Sequence, residues 1–160
     1  MKYFIGMVFV VLVSCATYKA APPSTAATQK TVKKDVLEVY RLANLWLLEN
    51  DFTVVFKDVK PYQIVADGDI KKLSGTSYSV WGGAEQKTPC AHCGSWGAST
   101  FLPQTAKIVL TFDSLAVGTK ANCKMLFKPS QQISGELLAQ IKCESTGMLE
   151  TSLFNYLEGK

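Results

Sequence analysis

The chain has 160 residues, 48% of them hydrophobic, and a formal net charge of +4. That is length for one domain with a sizeable core rather than two. Apart from Arg41 its basic residues are lysines, so the bidentate donor favoured by phosphates and base edges is nearly absent, which argues against a nucleic-acid partner.

In chain order, Lys2 gives a positive start and "YFIGMVFVVLV", Tyr3 to Val13, is an uncharged apolar run. A helix spanning a bilayer needs about 20 apolar residues, so this run reads as the core of a secretion signal. The plainer alternative, a buried core helix, is disfavoured by the small, polar, proline-containing "CATYKAAPPSTAATQKT" that follows.

The run ends in "LVSC", Leu12 to Cys15, which resembles the lipobox of bacterial lipoproteins. The resemblance implies a diacylglycerol on the Cys15 thiol, cleavage just before it, and acylation of the freed amine, with Leu12 at the recognition position. More than one acyl chain gives stable anchoring. Ala16 is similar to the residue that accompanies sorting to the outer membrane. The expected location is therefore the bacterial cell envelope, on the outer membrane facing the periplasm, with no cofactor beyond the covalent lipid.

Residues 1–14 are thus expected as the signal peptide, 15–34 as a lipidated flexible tether, and 35–160 as a single domain. Pro22, Pro23, small residues and lysines without apolar periodicity make 15–34 a spacer.

Within the domain, "DVLEVYRLANLWLLENDF" places Val36, Val39, Tyr40, Ala43 and Leu47 at helical spacing, with Asp35 as N-cap and Asn50 and Asp51 as the stop. Leu37 and Leu48 are expected to widen the buried face, Trp46 to lie at its edge, and Leu45 to fall opposite. The period then changes to two. Phe52, Val54 and Phe56 are expected opposite Ala66, Ile64 and Tyr62, all six on one face, with "KDVKP" as the turn and "ADGD" as a bend. A third strand is expected at 75–81.

Two longer strands, "AKIVLTF" and "NCKMLFK", are expected to pair Ile108, Leu110 and Phe112 with Phe127, Met125 and Cys123. A fifth strand in "ELLAQIKCE" would set Ala139, Ile141 and Cys143 against Phe127, Met125 and Cys123. A closing helix follows, with Thr146 as N-cap, Met148, Leu149, Ser152, Leu153, Tyr156 and Leu157 on its apolar face, and Gly159 as the stop. The fold class is α+β: a two-layer sandwich with an antiparallel sheet of about five strands and the two helices on one face.

The stretch "RLANLWLLENDFTVVFKDVKPYQIVADGDI" resembles the start of TBP-like or helix-grip domains of bacterial envelope lipoproteins. Some of these have no known role, and a more distant one is an accessory of the outer-membrane assembly machinery. The likeness implies a non-enzymatic accessory that binds another envelope protein.

An inserted loop, 82–104, carries the remaining chemistry in "TPCAHCGSWG". A covalent haem site needs histidine directly after the second cysteine, and Gly94 stands there. Cys90, His92 and Cys93 offer three metal donors, short of a tetrahedral set. A thiol-redox role has the CxxC spacing but lacks the strand-to-helix setting that activates such cysteines.

With Cys15 assigned to lipid, four cysteines remain, an even number for an oxidising compartment. The expected bridges are Cys90 to Cys93, tightening the loop, and Cys123 to Cys143, facing each other across two strands. Trp81, Trp96 and Phe101 are the candidate partner-binding side chains. No GxSxG, Walker loop or HExxH occurs, and the 13 carboxylates are scattered, so no catalytic residue is named.

Overall fold

A computed structural model describes residues 18–69, 90–96, 99–100, 103–129 and 141–160. Its elements in chain order are β1 (Tyr18–Lys19), β2 (Gln29–Val32), α1 (Val36–Glu49), β3 (Phe52–Val59), β4 (Tyr62–Asp69), β5 (Ala91–His92), β6 (Ser95–Trp96), β7 (Ser99–Thr100), β8 (Pro103–Ser114), β9 (Thr119–Pro129), β10 (Glu144–Ser145) and α2 (Met148–Glu158). Five of the strands form one antiparallel sheet in the order β2-β9-β8-β4-β3. The two helices touch each other; α1 packs on β3, β4, β8 and β9, and α2 reaches β2. This is the expected α+β two-layer arrangement.

Helix α1 starts where expected. The Asp35 carboxylate accepts from the amides of Leu37 and Glu38 at 2.6 and 3.1 Å, satisfying two of the first-turn donors that have no partner within the helix. At the other end the Asn50 amide and its side-chain Nδ2 both donate to the Trp46 carbonyl, and Asp51 turns the chain out with φ 57°, a conformation short polar side chains tolerate. Val39, Ala43, Trp46 and Leu47 are buried. Trp46 lies in the core, not at its edge: it is 1% exposed, stacks on Phe52 at 5.8 Å, and donates from Nε1 to Ser152 Oγ on α2 at 3.2 Å. Leu37 and Leu48, expected to widen the buried face, stand exposed with Leu45. The sheet under α1 receives only the narrower stripe of the helix.

The strand alternation is right and the registers are not. In the β3–β4 hairpin Phe52 faces Gly68 and Val54 faces Ala66, then a bulge sets Phe56 opposite Val65. The turn is only Lys60 and Pro61, so the strands run further toward the tip: Phe56 slides by three residues against β4, and the bulge takes one back, leaving Phe52 and Val54 shifted by two. After the bulge Phe56 points to the open face, half-exposed, while Phe52, Ile64 and Ala66 stay inside. The expected bend at "ADGD" is strand, with β4 continuing to Asp69.

In the β8–β9 hairpin Ile108, Leu110 and Phe112 face Met125, Cys123 and Ala121, again two residues from the expected register. The reason is the same: the connection is the short segment from Leu115 to Gly118, closed by the Leu115 amide donating to the Gly118 carbonyl at 3.0 Å. A slide by two preserves which side chains are buried. Ile108, Leu110, Phe112, Ala121 and Cys123 therefore all lie under the helices, none more than 3% exposed. Each large side chain so buried contributes about 1.5–3 kcal/mol.

One expectation about the tether is corrected. Gln29–Val32, read as spacer, is the edge strand beside β9, with Val32 1% exposed and opposite Thr119. Lys30 on the same face pairs with Glu158 of α2 at 2.9 Å. A four-residue edge strand needs apolar character at only one or two positions, so its polar sequence concealed it. This strand takes the place expected for "ELLAQIKCE"; of that segment only an isolated bridge between Cys143 and Phe127 meets β9 among the described residues. The strand expected at 75–81 lies outside them.

Helix α2 begins at Gly147, not at Thr146, and no side chain caps it there. Gly159 ends it as expected, with its own amide donating to Tyr156 and that of Lys160 to Asn155. Leu149, Leu153, Phe154 and Leu157 are buried, whereas Met148, expected inside, is exposed. No helix among the described residues is long and apolar enough to cross a membrane.

Candidate functional site: the cysteine corner

Three of the four domain cysteines gather where short strands cross the Phe127 end of β9. Strand β5 pairs antiparallel with β10, His92 opposite Glu144 and Ala91 opposite Ser145, and the Thr146 amide donates to the Cys90 carbonyl at 3.1 Å. Continuing this ladder in the other direction brings Cys93 beside Cys143. These two form the disulfide, closing a sequence separation of 50 residues.

Both expected bridges are thereby corrected. Cys90 and Cys93 are separated by an extended strand, and three extended residues span about 10 Å, beyond the reach of a disulfide at roughly 7 Å between Cα atoms. Cys143 stands opposite Phe127, four residues along β9 from its expected neighbour Cys123. Cys90 and Cys123 are free thiols, both buried.

Burial pushes the Cys90 thiol up to about 11, and the nearby Glu150 charge adds to this. Cys123 is raised by the same two causes in the same order. Glu150 itself is 3% exposed and accepts from Ser145 Oγ at 2.8 Å, while Ser145 Oγ accepts from the Gly147 amide at 3.0 Å. A thiol in such surroundings stays protonated at neutral pH and makes a poor nucleophile.

The corner also captures the start of the described chain. Tyr18 and Lys19 pair with Trp96 and Ser95, and β7 adds a third strand on the other side of β6. The Tyr18 hydroxyl donates to the Cys93 carbonyl at 3.1 Å and accepts from the Lys142 amide at 3.4 Å, spanning the two sides of the disulfide. Gly94, whose φ is +79°, makes this possible: a Cβ there would collide with the Lys19 carbonyl oxygen and the Tyr18 ring.

Of the candidate residues named from sequence, the structure brings Cys93, Cys143 and Cys90 into this corner; Trp96 belongs to β6, and His92, on β5, is half-buried. Cys15, Trp81 and Phe101 lie outside the described residues. The three-donor set Cys90, His92 and Cys93 is broken by the disulfide, and no group of three ligating side chains among the described residues is placed to hold a metal ion.

A second feature had no motif to announce it. At the opposite end of β9 a cleft of about 460 Å³ opens between the start of α1 and the β8–β9 turn, lined by Lys33, Lys34, Leu37, Leu115 and Val117 among others. Leu37, Leu115 and Val117 are exposed beside it, Val117 at 75%. The Thr119 hydroxyl donates to the Lys34 carbonyl at 2.9 Å and holds the two walls together. The one sequence signal was the apolar "LAV" in a turn.

No protein-family model matches the chain, and no curated protein or solved structure matches it.

Proposed function

We propose that this protein is a membrane-anchored lipoprotein of the bacterial envelope, lipidated at Cys15, acting as a non-enzymatic accessory that binds another envelope protein. The observation that carries this reading is "LVSC" at the end of an apolar run too short to span a bilayer. A disulfide between Cys93 and Cys143 suits the oxidising compartment to which such a signal leads. The protein sits on the outer membrane facing the periplasm, and Trp81, Trp96 and Phe101 of the inserted loop are its candidate contact residues.

The runner-up reading, thiol-redox or metal chemistry through Cys90, His92 and Cys93, draws less support from the arrangement. Its nucleophile would be a buried thiol held above its ordinary pKa, and Cys93 is already bonded to a distant cysteine.

The test is Cys15→Ser in the full chain. Acyl labelling should disappear and the protein should leave the membrane fraction; labelling that persists refutes the assignment. Affinity capture from intact envelopes should then recover a protein with the parent chain and lose it with Trp96→Ala or Phe101→Ala. Equal capture by all three would place the contact elsewhere.

A further inference from the structure

The position of β1 sets how far the domain can stand from its anchor, an inference that rests on lipidation at Cys15. Read as a free spacer, residues 15–34 could extend to about 65 Å, at roughly 3.4 Å per residue. Yet Tyr18 is already part of the folded corner: it pairs with Trp96, its hydroxyl bonds to Cys93 and Lys142, and Gly94 leaves room for its ring. Three residue steps from Cys15 to Tyr18 span at most about 10 Å.

We propose that the lipidated protein is not tethered away from the membrane but held with its cysteine corner against the lipid headgroups, within about 10 Å of the anchor. The charge of the corner agrees with this. Lys19 follows Tyr18, Lys142 donates its amide to the Tyr18 hydroxyl, and Lys128 follows Phe127; all three are exposed. Such lysines attract the anionic headgroups of a bilayer over a Debye length of about 10 Å. Phe127 and Thr119 are eight residues apart on β9, about 26 Å of strand. The cleft at Leu37, Leu115 and Val117 is therefore at the end of the sheet away from the anchor.

The experiment uses the full lipidated chain in native membranes, with a photo-crosslinking benzoylphenylalanine in place of Lys142. Adducts to lipid are expected on illumination. They should fall several-fold when a flexible Gly-Ser insert of about 20 residues, with a mean span of roughly 25 Å, is placed between Ala16 and Thr17. Gly94→Ala, which displaces β1 without touching the anchor, should lower them in the same way.

Acyl labelling of each protein separates the two readings. An acylated chain that gives no lipid adduct at Lys142, or gives equal adduct with and without the insert, overturns this proposal alone. A chain with no acyl label overturns the lipoprotein reading, and this one with it.

Discussion

The five-stranded sheet and the cysteine corner hold themselves together by different means. In the sheet, long strands present alternate apolar side chains to two helices, and Trp46, Leu47, Ile64, Ile108, Leu110, Leu153 and Leu157 are almost wholly buried. In the corner, β1, β5, β6, β7 and β10 are two residues each, too short to bury much surface. Its order rests on point contacts: the Cys93–Cys143 disulfide, the Tyr18 hydroxyl and a close approach at Gly94. Where apolar area is scarce, cross-links and single hydrogen bonds take over.

That contrast can be broken from either side. The largest effect is expected from Trp46→Ala, which removes the stacking on Phe52 and the bond to Ser152. The domain should lose about 4 kcal/mol, measured as a lower denaturant midpoint with both regions unfolding together. Next, replacing Cys93 and Cys143 together by serine should cost up to about 4 kcal/mol in the chain-entropy account of a bridge closing 50 residues. Hydrogen exchange should then quicken at Ala91, His92 and Ser145 more than at Ile108 or Leu110. Equal acceleration everywhere would mean the corner and sheet are one cooperative unit.

Tyr18→Phe removes a hydroxyl that serves both sides of the disulfide, and a net loss of about 1 kcal/mol is expected. It should be felt as faster exchange in β1 and β6 with the main sheet unchanged.

Smaller effects should follow pH. The Cys90 thiol is raised from 9.0 to about 11, mainly by burial, so the folded state keeps a proton the unfolded chain gives up. Its contribution is complete below pH 9 and declines as pH rises through that interval. Cys90→Ala should flatten the alkaline fall in the denaturant midpoint. Glu158 is the reverse and the weakest case: hydrogen bonds from Lys160 and then Lys30 hold its carboxyl below the usual range. Its contribution is present at neutral pH and lost on acidification through the carboxylate range. Glu158→Gln should remove that part of the acid dependence.

The two regions also differed in how far they were legible beforehand. For the sheet, period and capping carried the reading: Asp35, Asn50 and Gly159 delimit helices where their chemistry places them, and the long strands alternate as written. The hairpin registers slid because the turns are tighter than their polar sequences imply, by two residues, which leaves each face intact, except beyond the bulge, where Phe56 slides by three and changes face. For the corner, almost nothing was legible beyond the cysteines themselves. Their partners lie 50 residues apart in sequence, and a two-residue strand has no period to detect.

From the sequence alone came the lipobox-like start, the α+β class, the helix faces around Val39, Ala43 and Leu47, and the prospect of a disulfide. These are local properties, set by neighbours within a turn or a strand. Only the tertiary structure decided that Cys93 pairs with Cys143, that Cys90 and Cys123 stay as buried thiols, and that Tyr18 and Gln29–Val32 belong to the folded domain. Those outcomes depend on which backbones meet across long separations, where a shift of a few residues in register changes every partner while leaving the local pattern as it was.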